Sequence, residues 1–434
     1  MSTSPWSALV SPARAARELT RRGHDVLVLE GRDRVGGRST PVPSQASLSI
    51  WAALSSAHPG CRAGPGRRTR SPDRADLSPR RQPDPVAGRV RSYRGTIPKL
   101  SLPGLLDIAR VRWQFERIAR AVPLVEPWAA RRAEELDSQS LGGWLRSVHA
   151  GASTRDLLAI MARVTWGCEP TTCRCCTRPG TCARRRIGRL LDVEGGAQQD
   201  RFAAGTQQIA EKSATELGER LVLDAAVSRI DQHSGGVTVS CEKGRAEAQF
   251  VIVAIPPATG SNRVRAPASG EYQQLPAHWP QGRLSKAYAA YPTPFWRANG
   301  LSGKHSPIRA GVHHFRRQPA PSGRASCWVR RCRSFDPLPA DERRRQALAG
   351  FASLFGHAAL SPIDYIDFRW AQSVSPRRPT AAVPPVVDRY GRGYAAGRAP
   401  PLADTETADE WTGFWTALCA RAAGGRRGGR AAMN

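Results

Sequence analysis

The sequence lacks long hydrophobic runs. It contains no stretch of about eighteen apolar residues, the length that a membrane-spanning helix requires. It also lacks an uninterrupted apolar segment behind a basic start, which is the pattern of a secretion signal. We therefore expect neither a membrane span nor a secretion signal, and we expect a cytoplasmic protein. With 434 residues, the chain is long enough for two closely connected domains.

Acidic residues are scarce relative to basic ones. The chain has 36 Asp and Glu against 65 Lys and Arg, which gives a formal net charge of +29. Such an excess is typical of nucleic-acid-binding proteins. The arginines, however, are concentrated in residues 61–91, 171–186 and 421–430, which show neither helical nor strand periodicity and few aromatic residues. We therefore expect no specific nucleic-acid partner, although the charge alone favours nonspecific binding to polyanions.

The sequence also lacks a complete set of metal ligands. Its densest group of cysteines lies in TTCRCCTRPGTC, residues 171–182. Zinc sites use C-x2-4-C pairs, usually two of them, or one pair with histidines. Here the spacing is cramped, and neither a second pair nor a nearby histidine completes four ligands. We favour free thiols over a metal site.

A helix followed by a strand is predicted near the start of the sequence. Residues 13–22 predict a helix that ends at Gly23, and residues 26–30 predict a short apolar strand that ends in Glu30. An Arg-Asp-Arg turn and a Gly-Gly-Arg elbow follow the strand. In a dinucleotide-binding unit, a carboxylate at this strand end holds the ribose of an adenosine. Such a unit also has a G-x-G-x-x-G turn upstream, which this sequence lacks.

Further elements follow downstream. Apolar residues at helical spacing between positions 105 and 122 predict a core helix, and a second helix is predicted to start near Ser138. Residues 207–217 predict a helix that ends at Gly218.

Several strands are predicted in the second half of the chain. Residues 227–231, 237–241 and 248–254 predict a β-meander whose third strand, in FVIVAIPP, is fully buried. Residues 284–296 predict a strand that enters a proline turn, and the alternation there places Lys286 on an inward face.

Six stretches, in this order, resemble the flavin-containing amine oxidase family of the monoamine-oxidase type: RELTRRGHDVLVLEGRDRVGGR, YRGTIPKL, LLDVEGGAQQDRF, VIVAIPP, SKAYAAYPTPFW and TETADEW. The resemblance implies an α/β fold, with a doubly wound, Rossmann-like FAD-binding domain and a mixed α+β substrate domain. It implies an FAD-binding domain assembled from residues 1–92, 198–262 and 372–434. The substrate domain would comprise residues 93–197 and 263–371.

The resemblance also implies a reaction. A primary amine loses a hydride from its α-carbon to flavin N5, the imine hydrolyses to aldehyde and ammonia, and dioxygen reoxidises the flavin to give hydrogen peroxide. No cysteine lies between Cys332 and Cys419, where covalent members of the family carry one, so FAD would be bound noncovalently. The implied partners are the amine and dioxygen. The oligomeric state stays open, with a homodimer as one option.

The cofactor-binding residues are implied position by position. Glu30 would hold the adenosine ribose, the alternative being a solvated strand end. The elbow formed by Gly36, Gly37 and Arg38 would lie along the pyrophosphate and the flavin. The backbone of Val227 would touch the adenine.

Other residues would lie near the flavin ring and the substrate. Glu406 matches a carboxylate near the ribityl chain, the alternative being a helix-capping acid. Lys286 matches a lysine that holds a water against flavin N5, the alternative being a lysine on an exposed strand edge. Gln198 or Gln199 matches an amide in the substrate cavity, where either could instead be a surface residue. Phe414 stands where the family has an aromatic-cage tyrosine.

Parts of the sequence depart from the family. Ser7, Leu9 and Pro12 stand where the family has its glycine turn, and residues 41–91 and part of 372–434 are unrelated to it. The unmatched windows are rich in Arg, Pro, Ala, Gly and Ser, the composition of a GC-rich coding sequence translated in a shifted frame. We therefore expect impaired amine oxidation. The alternative is a nonfunctional remnant, a basic and partly folded chain that binds polyanions nonspecifically.

Overall fold

The computed structural model describes residues 10–37, 41–42, 50–51, 68–70, 82–86, 89–93, 100–123, 129–166, 169–172, 200–202, 207–255, 264–265, 285–301, 312–313, 318–319, 325–331 and 335–369. Its α-helices are α1 (Val10–Arg21), α2 (Leu102–Ala121), α3 (Ala133–Ser138), α4 (Leu141–Ser147), α5 (Ala152–Trp166), α6 (Gln207–Leu217) and α7 (Ala340–Phe355). Short 3-10 helices span Gly218–Arg220, Phe295–Arg297 and His357–Leu360.

The strands up to the middle of the chain are β1 (Val28–Leu29), β2 (Pro41–Val42), β3 (Ile50–Trp51), β4 (Arg68–Arg70), β5 (Gln82–Val86), β6 (Arg89–Tyr93), β7 (Asp200–Phe202) and β8 (Leu221–Val222). The later strands are β9 (Val227–His233), β10 (Gly236–Cys241), β11 (Gly244–Ala248), β12 (Val264–Arg265), β13 (Ser285–Tyr291), β14 (Val312–His313), β15 (Gln318–Pro319), β16 (Ala325–Arg331) and β17 (Asp364–Arg369).

The helix–strand pair near the start forms as the sequence predicts. Helix α1 ends at Arg21, and Gly23 has a φ of +84°, a left-handed conformation that glycine adopts at helix ends without strain. Strand β1 then runs parallel to β8. Apolar side chains of α1, β1, α6 and the loop after β1 form one core: Ala16, Val28, Val35, Ala210 and Leu217. The predicted helix at residues 207–217 is confirmed as α6.

The predicted meander is confirmed in its first two strands and wrong in its third. The sheet has the order β11-β10-β9-β12, and β11 ends at Ala248, where the third strand was predicted to begin. Beyond it, Phe250 and Ile252 are 61% and 41% exposed, whereas Val253 is buried. The prediction of a fully buried strand fails because successive side chains point to opposite sides and only one side meets the core of this sheet.

A second core joins α2, α4 and α5. Helix α4 begins after Ser140, whose side chain accepts a hydrogen bond from Gly143 N at 3.0 Å. Its Leu141 and Trp144 are buried, so the helix predicted near Ser138 is confirmed. Helix α2 is confirmed too, but its buried face is centred on Phe115, and Leu105 at its start is exposed.

The third core packs α7 against a sheet of order β14-β16-β13-β17, with β15 beside β16. All its pairings are antiparallel. The predicted strand at residues 284–296 is confirmed as β13 followed by the 3-10 turn Phe295–Arg297. In the part of the chain that the structure describes, no helix combines the length and the apolar character needed to cross a bilayer.

Candidate functional site

Glu30 lies directly after β1, and its backbone continues the parallel pairing of that strand. Its N–H donates to Val222 O at 2.9 Å, and its carbonyl accepts from Ala225 N at 2.8 Å. The side chain is 0% exposed. Its Oε1 accepts a hydrogen bond from Arg32 N at 3.0 Å, whereas Oε2 is buried and has no hydrogen-bond partner. The alternative of a solvated strand end is wrong for this residue, because its side chain is fully buried.

The Glu30 carboxyl is protonated more readily than an ordinary carboxyl. Burial raises the pKa of Glu30 from 4.5 to about 8, although the Arg32 N–H and the charges of Arg32 and Arg34 act in the opposite direction. A buried oxygen without a partner is costly, so a ligand that donates hydroxyl groups to it would be favoured. This orphaned oxygen fits the ribose of a dinucleotide.

The glycine elbow follows Glu30 within the same loop. Gly36 and Gly37 have φ values of +97° and +48°, in the region that disfavours residues with a side chain. A methyl group on Gly36 would also collide with the carboxamide of Gln207. Neither glycine places a side chain in the elbow, which is what close approach of a phosphate to the backbone requires.

Two side chains hold the carbonyl groups of this elbow. Gln207 Nε2 donates to Val35 O at 3.0 Å, and Arg32 Nη1 lies 3.5 Å from Gly37 O. The motifs in the sequence indicated neither residue. Helical spacing could have indicated that Gln207 is buried, because it lies three residues before Ala210 on the same face of α6.

Val227 begins β9, two residues after the Ala225 that bonds to Glu30. Its side chain is half-buried against the core of the meander. The structure thus brings Glu30, the two glycines and Val227 into one neighbourhood.

Lys286 lies on a different sheet. It is the second residue of β13, which runs between β16 and β17, and it is 5% exposed. Ala287, Ala289 and Tyr291 pack into the core with α7. Because successive side chains of a strand alternate, Lys286 projects from the opposite face. The prediction of an inward-facing lysine is confirmed, and an exposed strand edge is excluded.

Several predicted site residues lie outside the described residues: Arg38, Gln198, Gln199, Glu406 and Phe414. The same holds for cysteines 173, 175, 176 and 182. Among the residues that the structure describes, no group of His, Cys, Asp or Glu could hold a metal ion.

Known proteins resemble this chain over almost its whole length. The family model described as flavin containing amine oxidoreductase matches residues 14–421. The Mycobacterium tuberculosis protein AofH, which bears the name of a flavin-containing monoamine oxidase, is 53% identical over 416 residues, covering 92% of this chain and 90% of that protein. A flavin-containing amine oxidase of Oncorhynchus mykiss is 27% identical over 431 residues, covering 93% and 81% of the two chains.

Solved structures share the fold. Cyclohexylamine oxidase from Brevibacterium oxydans superimposes with a TM-score of 0.84 at 24% identity, over 95% of both chains. A putrescine oxidase bound to putrescine gives a TM-score of 0.86 at 22% identity, over 98% of this chain and 97% of the other. The α/β fold expected for an FAD-binding oxidase is therefore confirmed. Taken with the family match, these similarities show that the chain belongs to the flavin-containing amine oxidase family, whose members are oxidoreductases acting on amines.

Proposed function

We propose that this chain oxidises a primary amine to an imine with FAD held noncovalently, and that water then hydrolyses the imine to an aldehyde. The observation that carries the proposal is the buried Glu30 oxygen that has no hydrogen-bond partner. Two ribose hydroxyls of FAD would satisfy both carboxylate oxygens and favour the charged form of Glu30. Ammonia and hydrogen peroxide would be the other products, with dioxygen as the oxidant.

The bare backbone of the elbow supports the placement of the pyrophosphate beside Gly36 and Gly37, with Arg38 next to them in sequence. The backbone of Val227 would then reach the adenine, because β9 begins close to Glu30. Resemblance to the family supports further assignments. Glu406 would be the carboxylate near the ribityl chain. Gln198 or Gln199 would lie in the substrate cavity, with Phe414 in the aromatic cage.

Lys286 is the residue that we assign to the chemical step. Bound FAD would supply the hydride acceptor at N5. The buried ammonium of Lys286 would orient a water toward that atom and stabilise the negative charge that develops when the amine is oxidised. Its burial supports this role, because a desolvated charge acts more strongly than an exposed one.

We also propose the organisation of the chain and its location. The FAD-binding domain would comprise residues 1–92, 198–262 and 372–434, and the substrate domain residues 93–197 and 263–371. A cytoplasmic enzyme would meet its amine substrate and dioxygen as diffusing small molecules.

The flavin site of this chain is proposed to be weakened. Ser7, Leu9 and Pro12 cannot offer the close backbone approach that glycine gives a pyrophosphate. The family match runs from residue 14 to residue 421 and so continues on both sides of the unmatched windows, as paired compensating frame shifts require.

Titration of the purified chain with FAD tests the proposal. Peroxide would be measured with aromatic and aliphatic primary amines while FAD is raised from none to about a millimolar. Amine-dependent peroxide that appears only at high FAD supports an oxidase with a weakened cofactor site. No FAD binding and no peroxide at any concentration would favour the nonfunctional remnant instead.

A further inference from the structure

The first residue of α6 touches the glycine elbow across a long separation in sequence. Gln207 is 6% exposed, and its Nε2 donates to Val35 O at 3.0 Å in a buried hydrogen bond. We propose that Gln207 is a positioning residue for the flavin, which acts by fixing the orientation of the elbow peptides. This inference rests on the proposed FAD site and adds a residue that the family motifs in the sequence did not indicate.

The fit between Gln207 and Gly36 is the second observation. Gly36 has a φ of +97°, and a Cβ built on it would overlap the carboxamide of Gln207. The amide group therefore fills the space that a side chain at position 36 would need. A side chain at position 36 would displace the carboxamide of Gln207, and glycine leaves room for it.

The helix that carries Gln207 is firmly held, whereas the elbow is a loop. Ala210 and Leu217 of α6 lie in one core with residues of α1 and β1. At the far end of α6, Glu216 forms an ion pair with Arg17 at 2.9 Å. The hydrogen bond from Gln207 therefore holds the Val35 carbonyl in a fixed position relative to the packed elements α1, β1 and α6.

The peptide geometry explains why one carbonyl matters for a cofactor. In a trans peptide, the C=O of one residue and the N–H of the next point in opposite directions. Because Gln207 binds the Val35 carbonyl, the peptide plane is fixed and so is the direction of the Gly36 N–H. Rotation of this peptide would turn that N–H and change the backbone against which the pyrophosphate of the proposed FAD would lie.

The first test compares substitutions in α6. Gln207→Leu keeps the approximate size of the side chain and removes the donor, and Gln207→Glu keeps an acceptor but loses the N–H. Both should weaken FAD binding about tenfold, the scale of one buried hydrogen bond, measured by quenching of FAD fluorescence on titration of the cofactor-free protein. The visible absorption bands of the bound flavin should shift as well. The matched control is Glu216→Gln, which removes only the exposed ion pair with Arg17 and keeps the apolar packing of α6 on α1, so both readouts should stay unchanged.

The second test is a double-mutant cycle with two measurements: the melting temperature of the cofactor-free protein and the affinity for FAD. Gly36→Ala alone should lower the melting temperature and weaken FAD binding strongly. In a Gln207→Ala background the new methyl group has room, so the same substitution should cost at least about fivefold less in FAD affinity. Equal effects of Gly36→Ala in both backgrounds would overturn the proposal.

The outcomes separate this inference from the proposed FAD site. If Glu30→Ala weakens FAD binding but Gln207→Leu does not, the FAD site stands and the role of Gln207 is refuted. If the unsubstituted chain binds no FAD at millimolar concentration, both proposals fail together.

Discussion

Glu30 combines full burial with too few hydrogen-bond donors, an arrangement that is unfavourable for the protein alone and favourable for binding a ligand with hydroxyl groups. Replacing it with alanine should weaken FAD binding by about 1–3 kcal/mol, the scale of a hydrogen bond to a charged group. Titration of cofactor-free protein with FAD measures the change. Unaltered affinity in Glu30→Ala would remove the ribose assignment.

The raised pKa of Glu30 predicts a pH dependence of stability. In the unfolded chain this carboxyl ionises near its ordinary pKa of 4.5, whereas in the folded protein the pKa is about 8. Between these values the folded state binds more protons than the unfolded state, so the free energy of unfolding falls as pH rises from 4.5 to 8. Glu30→Gln should remove this contribution, on the order of a few kcal/mol. Urea unfolding of cofactor-free protein at several pH values measures it, and parallel pH profiles for the two proteins would refute the assignment.

Lys286 acts at a different step from Glu30. Lys286→Met keeps much of the side-chain length and removes the charge, so flavin reduction by an amine should slow while FAD binding changes little. Stopped-flow measurement of flavin reduction at saturating FAD checks this. Equal rates in the two proteins would make Lys286 a residue without a role in the reaction.

Single residues of the site were predictable where a local motif contains them. The strand end and the Gly-Gly-Arg elbow pointed to Glu30, Gly36 and Gly37 as candidates, and alternation along a strand placed Lys286 inside. Gln207 was not predictable in this way, because its partner Val35 is 172 positions away in sequence. Only the packing of α6 over the elbow brings the two together.

At the scale of elements, local patterns predicted α1, α6 and β13 well because caps, glycines and prolines mark their ends. The third meander strand was misplaced because the apolar run FVIVAIPP was taken as buried on both sides. Ladder pairing with β10 ends at Ala248 instead, before that run begins. The turn at Glu242 and Lys243 sets this register, because it pairs Cys241 with Gly244 and so begins the third strand at Gly244.

Helix α7 is tied to the sheet of Lys286 by a buried ion pair. Arg343 contacts both carboxylate oxygens of Asp367 on β17 at 3.0–3.1 Å, and the two side chains are 8% and 10% exposed. Arg343 Nη1 also donates to Leu338 O at 2.6 Å.

Removing one partner of this pair would leave a buried charge unpaired. Asp367→Ala should therefore lower the free energy of unfolding by about 3–5 kcal/mol, measured by urea denaturation. The double substitution Arg343→Met with Asp367→Leu leaves no charge behind and should recover much of this loss. A loss in Asp367→Ala no larger than that of an exposed pair such as Arg112 and Glu116 would contradict the prediction.

At the scale of the whole molecule, the net charge of +29 taken alone favours nucleic-acid binding, whereas the family membership indicates an amine oxidase. Residues 61–91, 171–186 and 421–430, where arginine is dense, carry about half of this charge. We propose that these windows are translated in a shifted frame, so that their charge has no role in function. Coding DNA tests this account: alternative frames across residues 41–91, 171–187 and 372–403 should encode the missing family segments. Frames that encode nothing similar would refute it.

The last prediction concerns the cofactor content of the intact chain. Loss of backbone N–H contacts to the pyrophosphate, together with the side chain of Leu9, should weaken FAD binding by several kcal/mol, which corresponds to about a thousandfold or more. The recombinant chain should therefore purify with little flavin absorbance near 450 nm and give no peroxide with simple amines unless FAD is added. Ser7→Gly, Leu9→Gly and Pro12→Gly together should raise the affinity, because glycine at these three positions would allow the close backbone approach that a pyrophosphate requires. A chain restored to the alternative frame in the unmatched windows should regain both flavin and activity. Yellow, active protein from the unaltered sequence would show that the glycine turn is dispensable here and would overturn the proposed weakening of the site.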